Sequence, residues 1–170
     1  MQIHIADVEN GLGRKRPFSF AATAAELDAV AATCVFLGPI KAEGTVTNTG
    51  AGYRVRGVIH ATKQFTCDRC LEECRTEQEI PFEEIFRKGE EDPEAEANFF
   101  TGDTIELDAL VRDTLLAAQP LSNLCKPDCK GLCPVCGANL NHGDCSCDRF
   151  VPDPRLAALE NFRLEDESSH

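Results

Sequence analysis

Eight of the ten cysteines in this 170-residue chain fall into four close pairs: Cys67/Cys70, Cys125/Cys129, Cys133/Cys136 and Cys145/Cys147. A thiolate is a soft ligand, and Zn²⁺ takes about four such ligands in a tetrahedron. A Cys-x-x-Cys turn reverses the backbone and brings two sulfurs to adjacent corners of that figure. Four pairs therefore amount to two closed four-thiolate centres. Cys133-Pro-Val-Cys136-Gly137 has the form of a zinc knuckle, with Gly137 offering the positive φ that such turns use. Cys34 and Cys74 are left over and read as ordinary thiols, which behave as small hydrophobic groups.

Two ways of combining the pairs stay open. The favoured one joins Cys67/Cys70 to Cys125/Cys129 and Cys133/Cys136 to Cys145/Cys147. The first group would then be a long-range clip, and the second a local loop closed around Gly137–Asp144. The alternative places Cys125, Cys129, Cys133 and Cys136 on one ion. His142, inside the last cluster, offers itself as a substitute ligand. An iron–sulfur cluster also takes four thiolates. A redox role for Cys67-Asp-Arg-Cys70 lacks its βαβ setting. A catalytic zinc would keep an open position, whereas both proposed centres are closed by sulfur. Each closed centre would add two net negative charges. Arg69, Lys126 and Lys130 lie beside the cysteines, either as counter-charges or as contacts to RNA phosphate.

Little else suggests reaction chemistry. The four histidines (His4, His60, His142, His170) are scattered, and there is no Gly-rich phosphate loop, nucleophile elbow or His-Glu-x-x-His. A non-enzymatic protein is expected, with no small-molecule substrate. With 17 Lys+Arg against 29 Asp+Glu, the formal charge is −12, which excludes indiscriminate polyanion binding. Local exceptions are Arg54 and Arg56, sharing a polar strand face with His60, and the knot Arg14-Lys15-Arg16. The acidic stretch 89–97 suits a basic protein partner instead. No apolar run approaches the ~20 residues of a membrane span, and the first residues lack the layout of a secretion signal. The expected location is the cytoplasm, where disulfides are disfavoured.

The elements that would position the cysteines follow from periodicity. Ile3, Ile5 and Val8 suggest an edge strand. Thr23–Thr33 is rich in helix formers, and Thr23 with Glu26 suits a capping box, so a short helix is predicted there. From residue 40 to 88 the period is two. Ile40–Asn48, Tyr53–Phe65 and a third run holding Ile80, Phe82 and Phe86 read as an antiparallel meander, with Gly50-Ala51-Gly52 as a turn. Pro81 marks the third strand as an edge or a bulge. Residues 89–97 read as a solvated loop. Leu107, Leu110, Val111, Thr114, Leu115 and Ala118 form one face of a helix over 103–119, stopped by Pro120. A closing helix over 153–159 and a frayed tail at 165–170 complete the reading. The expected class is α+β: an antiparallel β-meander packed against one or two helices, with a C-terminal cysteine-rich, zinc-ribbon-like lobe. The expected divisions are an α+β domain over 1–120, a zinc-binding lobe over 121–160 joined to it through Cys67/Cys70, and a flexible tail over 161–170.

Several segments resemble one family. They are Cys67-Asp-Arg-Cys70-Leu71 after a strand, Leu116-Ala-Ala-Gln-Pro120 at a helix end, Cys125-Lys-Pro-Asp-Cys129-Lys-Gly-Leu-Cys133-Pro-Val-Cys136-Gly-Ala-Asn-Leu-Asn141, Cys145-Ser-Cys147 and Asp153-Pro-Arg-Leu-Ala-Ala-Leu159. The chain is similar in these to the YceD family of large ribosomal RNA subunit accumulation proteins, from about residue 35 onward. The resemblance implies a bacterial, cytoplasmic, non-enzymatic factor needed for 23S rRNA accumulation, acting in rRNA processing or large-subunit assembly. Its partner would be large-subunit rRNA or its precursors, met directly or through a basic ribosomal protein. Some relatives lack the Cys133–Cys147 segment and keep the other two pairs, which implies the favoured pairing by analogy. A zinc-stabilised interaction module with a non-ribosomal client is the competing expectation.

Overall fold

The structure, a computed structural model, describes residues 1–90, 97–148, 153 and 155. The chain runs β1 (Gln2–His4), α1 (Ala6–Glu9), β2 (Lys15–Ala22), β3 (Val35–Asn48), β4 (Tyr53–Thr66), β5 (Glu73–Lys88), β6 (Asn98–Phe100), β7 (Thr104–Glu106) and α2 (Asp108–Ala117). Strands β2 to β6 make one sheet in that spatial order; β1 and β7 pair as a separate two-stranded ribbon. The class is α+β. The meander β3-β4-β5 is its centre, extended by β2 on one side and by a short parallel β6 on the other.

Alternation on the two long central strands decides which face is dry. Tyr53, Val55, Ile59, Ala61 and Phe65 of β4 are buried, whereas Arg54 and Arg56 on the other face are exposed. On β5, Phe82 and Phe86 are buried, while Glu77, Glu79, Glu83 and Arg87 face water. The apolar face is covered by α1, the β1–β7 ribbon and α2, which contribute Ile3, Ile5, Val8, Ile105, Leu107, Val111 and Leu115 to one core. Two glycines make the close packing of this face possible. Gly44 and Gly57 are directly paired across β3 and β4. A Cβ on Gly57 would lie 2.4 Å from the Glu43 carbonyl oxygen and 2.9 Å from the Phe82 ring. The absent side chains leave room for the Phe18 and Phe82 rings over the sheet.

Several sequence expectations need correction. The helix predicted over 23–33 is a series of turns. Its capping box does form, with the Thr23 backbone N–H donating to Glu26 Oε2 at 2.7 Å and the Glu26 N–H to Thr23 Oγ1 at 3.3 Å. Asp28 then takes φ 51°, which breaks the helical path after one turn. A nucleus alone does not propagate a helix in so short a segment. The helix predicted over 103–119 starts only at Asp108, because Thr104–Glu106 pairs with β1. The edge strand predicted within residues 1–10 ends at His4 and gives way to α1. The basic knot Arg14-Lys15-Arg16 opens β2, a strand the periodicity reading missed, and Arg16 Nη1 donates to the His4 carbonyl at 2.8 Å. Among the described residues, the C-terminal lobe is built of turns with one isolated antiparallel bridge, Leu132 to Asn139, flanking the Cys133–Cys136 turn. Apart from Asp153 and Arg155, the helix expected over 153–159 lies outside those residues, as do the tail over 161–170 and most of the acidic stretch.

Pro81 fits its predicted place. β6 covers β5 only at Phe86–Lys88, so among the described residues the rest of β5, Pro81 included, is an open margin. Pro17 lies on β2, the opposite outer strand.

Gly57→Ala forces a methyl group against a backbone carbonyl and a packed ring. The expected loss is about 1–3 kcal/mol, read as a lower urea midpoint with an unchanged denaturant slope.

Candidate metal centres

The first pair of sulfurs sits where β4 hands the chain to β5. The Cys67 N–H donates to the Glu72 carbonyl at 2.9 Å and the Leu71 N–H to the Cys67 carbonyl at 2.9 Å, closing the turn. The pair Cys133/Cys136 makes the same turn: the Cys133 N–H donates to Ala138 at 2.8 Å and the Gly137 N–H to Cys133 at 2.9 Å. Both turns need a left-handed residue after the second cysteine. Gly137 fills it at φ 74°, but Leu71 fills it at φ 59°. A leucine there is costly, and its side chain is 64% exposed.

A chain of hydrogen bonds carries the second pair to the first. Lys63 is buried on β4, and its Nζ donates to Gln119 Oε1 at 3.1 Å and Asn123 Oδ1 at 2.9 Å. Gln119 is anchored at the end of α2, its Nε2 donating to the Leu115 carbonyl at 2.7 Å. Asp68, inside the first turn, accepts from Ser122 Oγ at 3.0 Å and from the Asn123 N–H at 2.7 Å through Oδ2, while its own N–H donates to the Asn123 carbonyl at 2.9 Å. The segment after α2 is thereby laid along the β4–β5 corner, and Cys125 and Cys129 arrive opposite Cys67 and Cys70. Lys63, Asp68 and Asn123 are positioning residues that the sequence reading missed.

The outcome is two groups of four sulfurs: Cys67, Cys70, Cys125 and Cys129 in one, and Cys133, Cys136, Cys145 and Cys147 in the other. Within each group the sulfurs lie within 4.8 Å of one another. Cys67 and Cys129 Sγ are 3.8 Å apart, and Cys70 and Cys125 Sγ 3.7 Å. Zinc–sulfur bonds of about 2.3 Å, set tetrahedrally, place sulfurs about 3.8 Å apart, whereas a disulfide needs about 2.05 Å. All ten cysteines are free thiols. The grouping is the favoured pairing and not the one uniting Cys125, Cys129, Cys133 and Cys136. In the first group Cys67, Cys70 and Cys129 are buried and Cys125 half-buried; in the second only Cys133 is buried. Cys34 is buried and Cys74 half-buried, and neither belongs to a group.

The electrostatics fit a cation. Burial pushes the Cys67 thiol up, but the backbone N–H groups of Cys70, Cys125 and Arg69 outweigh it and bring its pKa down to about 6. Cys125 is pushed far up by burial and then by the neighbouring sulfurs. In the second group the N–H groups of Cys136 and Val135 bring Cys133 down to about 6, while Cys147 is pushed up to about 12 by Cys136 and by burial. Sulfurs this close cannot all ionise together; a dication in their midst removes the conflict.

The other predicted site residues divide. Arg69 Nη1 donates to the Cys129 carbonyl at 3.0 Å, bracing the first group. Lys126 and Lys130 are exposed beside it. Arg54 and Arg56 both lie near Glu83, at 3.4 and 3.9 Å, on the open face of the sheet. His142 stands outside both sulfur groups; its Nε2 is 2.8 Å from Glu72 Oε1.

Two four-cysteine clusters, one at the β4–β5 corner and one in the turn-built lobe beside it, define a protein built around a pair of candidate structural metal centres. The profile of the family "Large ribosomal RNA subunit accumulation protein YceD" matches residues 55–163, more than half of the chain, and the chain belongs to that family. Among curated relatives, uncharacterised proteins of Mycobacterium bovis and Mycobacterium tuberculosis are each 32% identical over 100 residues, covering 56% of this chain and 48% of theirs. A chloroplastic large ribosomal RNA subunit accumulation protein YCED homolog of Arabidopsis thaliana is 36% identical over 59 residues, covering 35% of this chain and 18% of its own. The chain thus spans about half the length of the mycobacterial relatives and less of the plant one. No solved structure matches it. Among the described residues no helix is long and apolar enough to cross a membrane.

The two groups differ in what they hold together. Cys67→Ser opens the clip between sheet and post-helix segment and should lower global stability by more than about 4 kcal/mol, a size reserved for losses such as a metal site. Cys136→Ser, on the exposed lobe, should cost no more than an ordinary substitution, about 0.5–3 kcal/mol. Urea denaturation with metal analysis of each variant checks both. Metal content equal to wild type in both variants refutes the two-centre assignment.

Proposed function

We propose that this protein is a non-enzymatic, zinc-braced factor for accumulation of large-subunit ribosomal RNA, acting in rRNA processing or large-subunit assembly in the cytoplasm. Membership of the YceD family supports the ribosomal role. The convergence of eight thiols into two groups of four, within 4.8 Å in each, carries the zinc reading. Four sulfurs per ion leave no open coordination position, which is the arrangement of a structural rather than a catalytic zinc.

Contact with the assembling subunit runs through a basic ribosomal protein in preference to bare RNA. The chain carries 29 acids against 17 Lys and Arg. Phosphate binding depends on local cations, and Arg54 and Arg56, the best candidates on the open sheet face, share Glu83. Arg69 is drawn inward to Cys129. Lys126 and Lys130 remain as exposed cations beside the first centre and supply at most a small phosphate contact. The surface is thus better matched to a cationic protein than to a polyanion.

Tagged protein should co-sediment with large-subunit precursors, and its association should survive nuclease treatment. Replacing Arg54 and Arg56 together by Glu should leave it within about twofold, whereas an RNA-borne contact would lose roughly tenfold or more on losing two phosphate contacts. Co-sedimentation with no ribosomal particle would refute the reading and favour a non-ribosomal client.

A further inference from the structure

The two sulfur groups are joined by consecutive residues of one loop. Gly137–Asp144 spans the two halves of the second group, from Cys136 to Cys145. Near its end, Asn141 Nδ2 donates to Cys129 Sγ of the first group at 3.3 Å. The next residue, His142, places Nε2 2.8 Å from Glu72 Oε1, and the other oxygen of that carboxylate lies 3.6 Å from Cys70 Sγ. One loop therefore reaches two sulfurs of the neighbouring centre, from different cysteine pairs.

The reach is built and not incidental. Asn141 is held on both sides of its amide: Oδ1 accepts the Lys130 N–H at 2.9 Å, and Nδ2 also donates to Asn139 Oδ1 at 2.9 Å. Asn139 in turn bridges to Leu132, and the Leu140 N–H donates to the Gly131 carbonyl at 2.9 Å with its side chain buried. These contacts belong to the loop whose two ends, Cys136 and Cys145, are members of the second group of sulfurs.

We propose that Asn141 is a positioning residue that couples the two centres, so that metal in the Cys133/Cys136/Cys145/Cys147 group tightens metal binding in the Cys67/Cys70/Cys125/Cys129 group. The inference rests on the reading that both groups bind metal. Filling the second group closes the loop and orders Asn141 and His142 against the first; an N–H directed at a ligand sulfur stabilises its thiolate form. Such outer partners change metal affinity about 10–100-fold. Coupling of this kind is reciprocal, so the first group equally favours the second.

The test uses the full chain, with Zn²⁺ titrated against a chromophoric chelator and Co²⁺ as a spectroscopic probe. Removing the second group (Cys136→Ser with Cys145→Ser) should weaken the remaining site about 10–100-fold. Asn141→Asp keeps an oxygen for the Lys130 N–H but puts an acceptor where the sulfur needs a donor. It should reproduce most of that loss with two ions still bound at saturation, and should shift the sulfur-to-cobalt charge-transfer band of the first centre. A merely architectural residue, its Lys130 contact kept, would leave the band in place. First-site affinity within twofold of wild type in both variants, with Asn141→Asp still binding two ions, overturns the coupling alone. Failure of the wild-type chain to bind either metal overturns the metal reading and the coupling with it.

Discussion

Four sulfurs meeting at the end of a β-hairpin is the constraint on which the rest of this structure depends. Cys67 and Cys70 belong to the sheet; Cys125 and Cys129 come from beyond α2, more than fifty residues later. Burying them within 4.8 Å of each other is unfavourable for thiolates alone and favourable around a dication. The hydrogen bonds from Lys63 through Asn123 to Asp68 bring the two halves into range before any ion is considered. Scaffold and centre thus reinforce each other: the polar network preorganises the ligands, and the ligand set locks the network.

Much of this was legible in the chain. Ligand number pointed to two groups of four cysteines, and spacing favoured the pairing found while leaving the other open. The faces of β4 and β5 followed from strict alternation, Val55 and Ile59 inward, Arg54 and Arg56 outward. The buried stripe of α2 at Leu107, Val111 and Leu115 matched its helical spacing. What failed was local propensity overruled by partners elsewhere. Residues 103–107 look helical until β1 claims Thr104–Glu106 as a strand. Residues 23–33 carry a sound cap, yet the turn at Asp28 prevails. Asn141 and Lys63 were invisible for a related reason: an amide or amine near a cysteine run says nothing of its direction until the chain is folded.

Leu71 shows how far the first turn is bound by its surroundings. Its twin, Gly137, adopts the same left-handed backbone without steric cost. Leu71 sits there with its side chain largely in water, so neither backbone preference nor burial accounts for the choice. The neighbouring bonds of Cys67 to Glu72 and of Asp68 to Asn123 hold it in place. The two knuckles are therefore chemically alike but mechanically different, one braced by a sheet and the other by its own loop.

The open face of the sheet raises a separate question of colloidal behaviour. An uncovered sheet with free margins is a template for strand-by-strand polymerisation. Here each outer strand is interrupted by an imino acid, Pro17 on β2 and Pro81 on β5, and the second margin is studded with Glu77, Glu79 and Glu83. A second copy sliding alongside would find a missing donor and a row of like charges. Among the described residues, both margins of the sheet thus resist the strand-by-strand stacking of copies into fibrils.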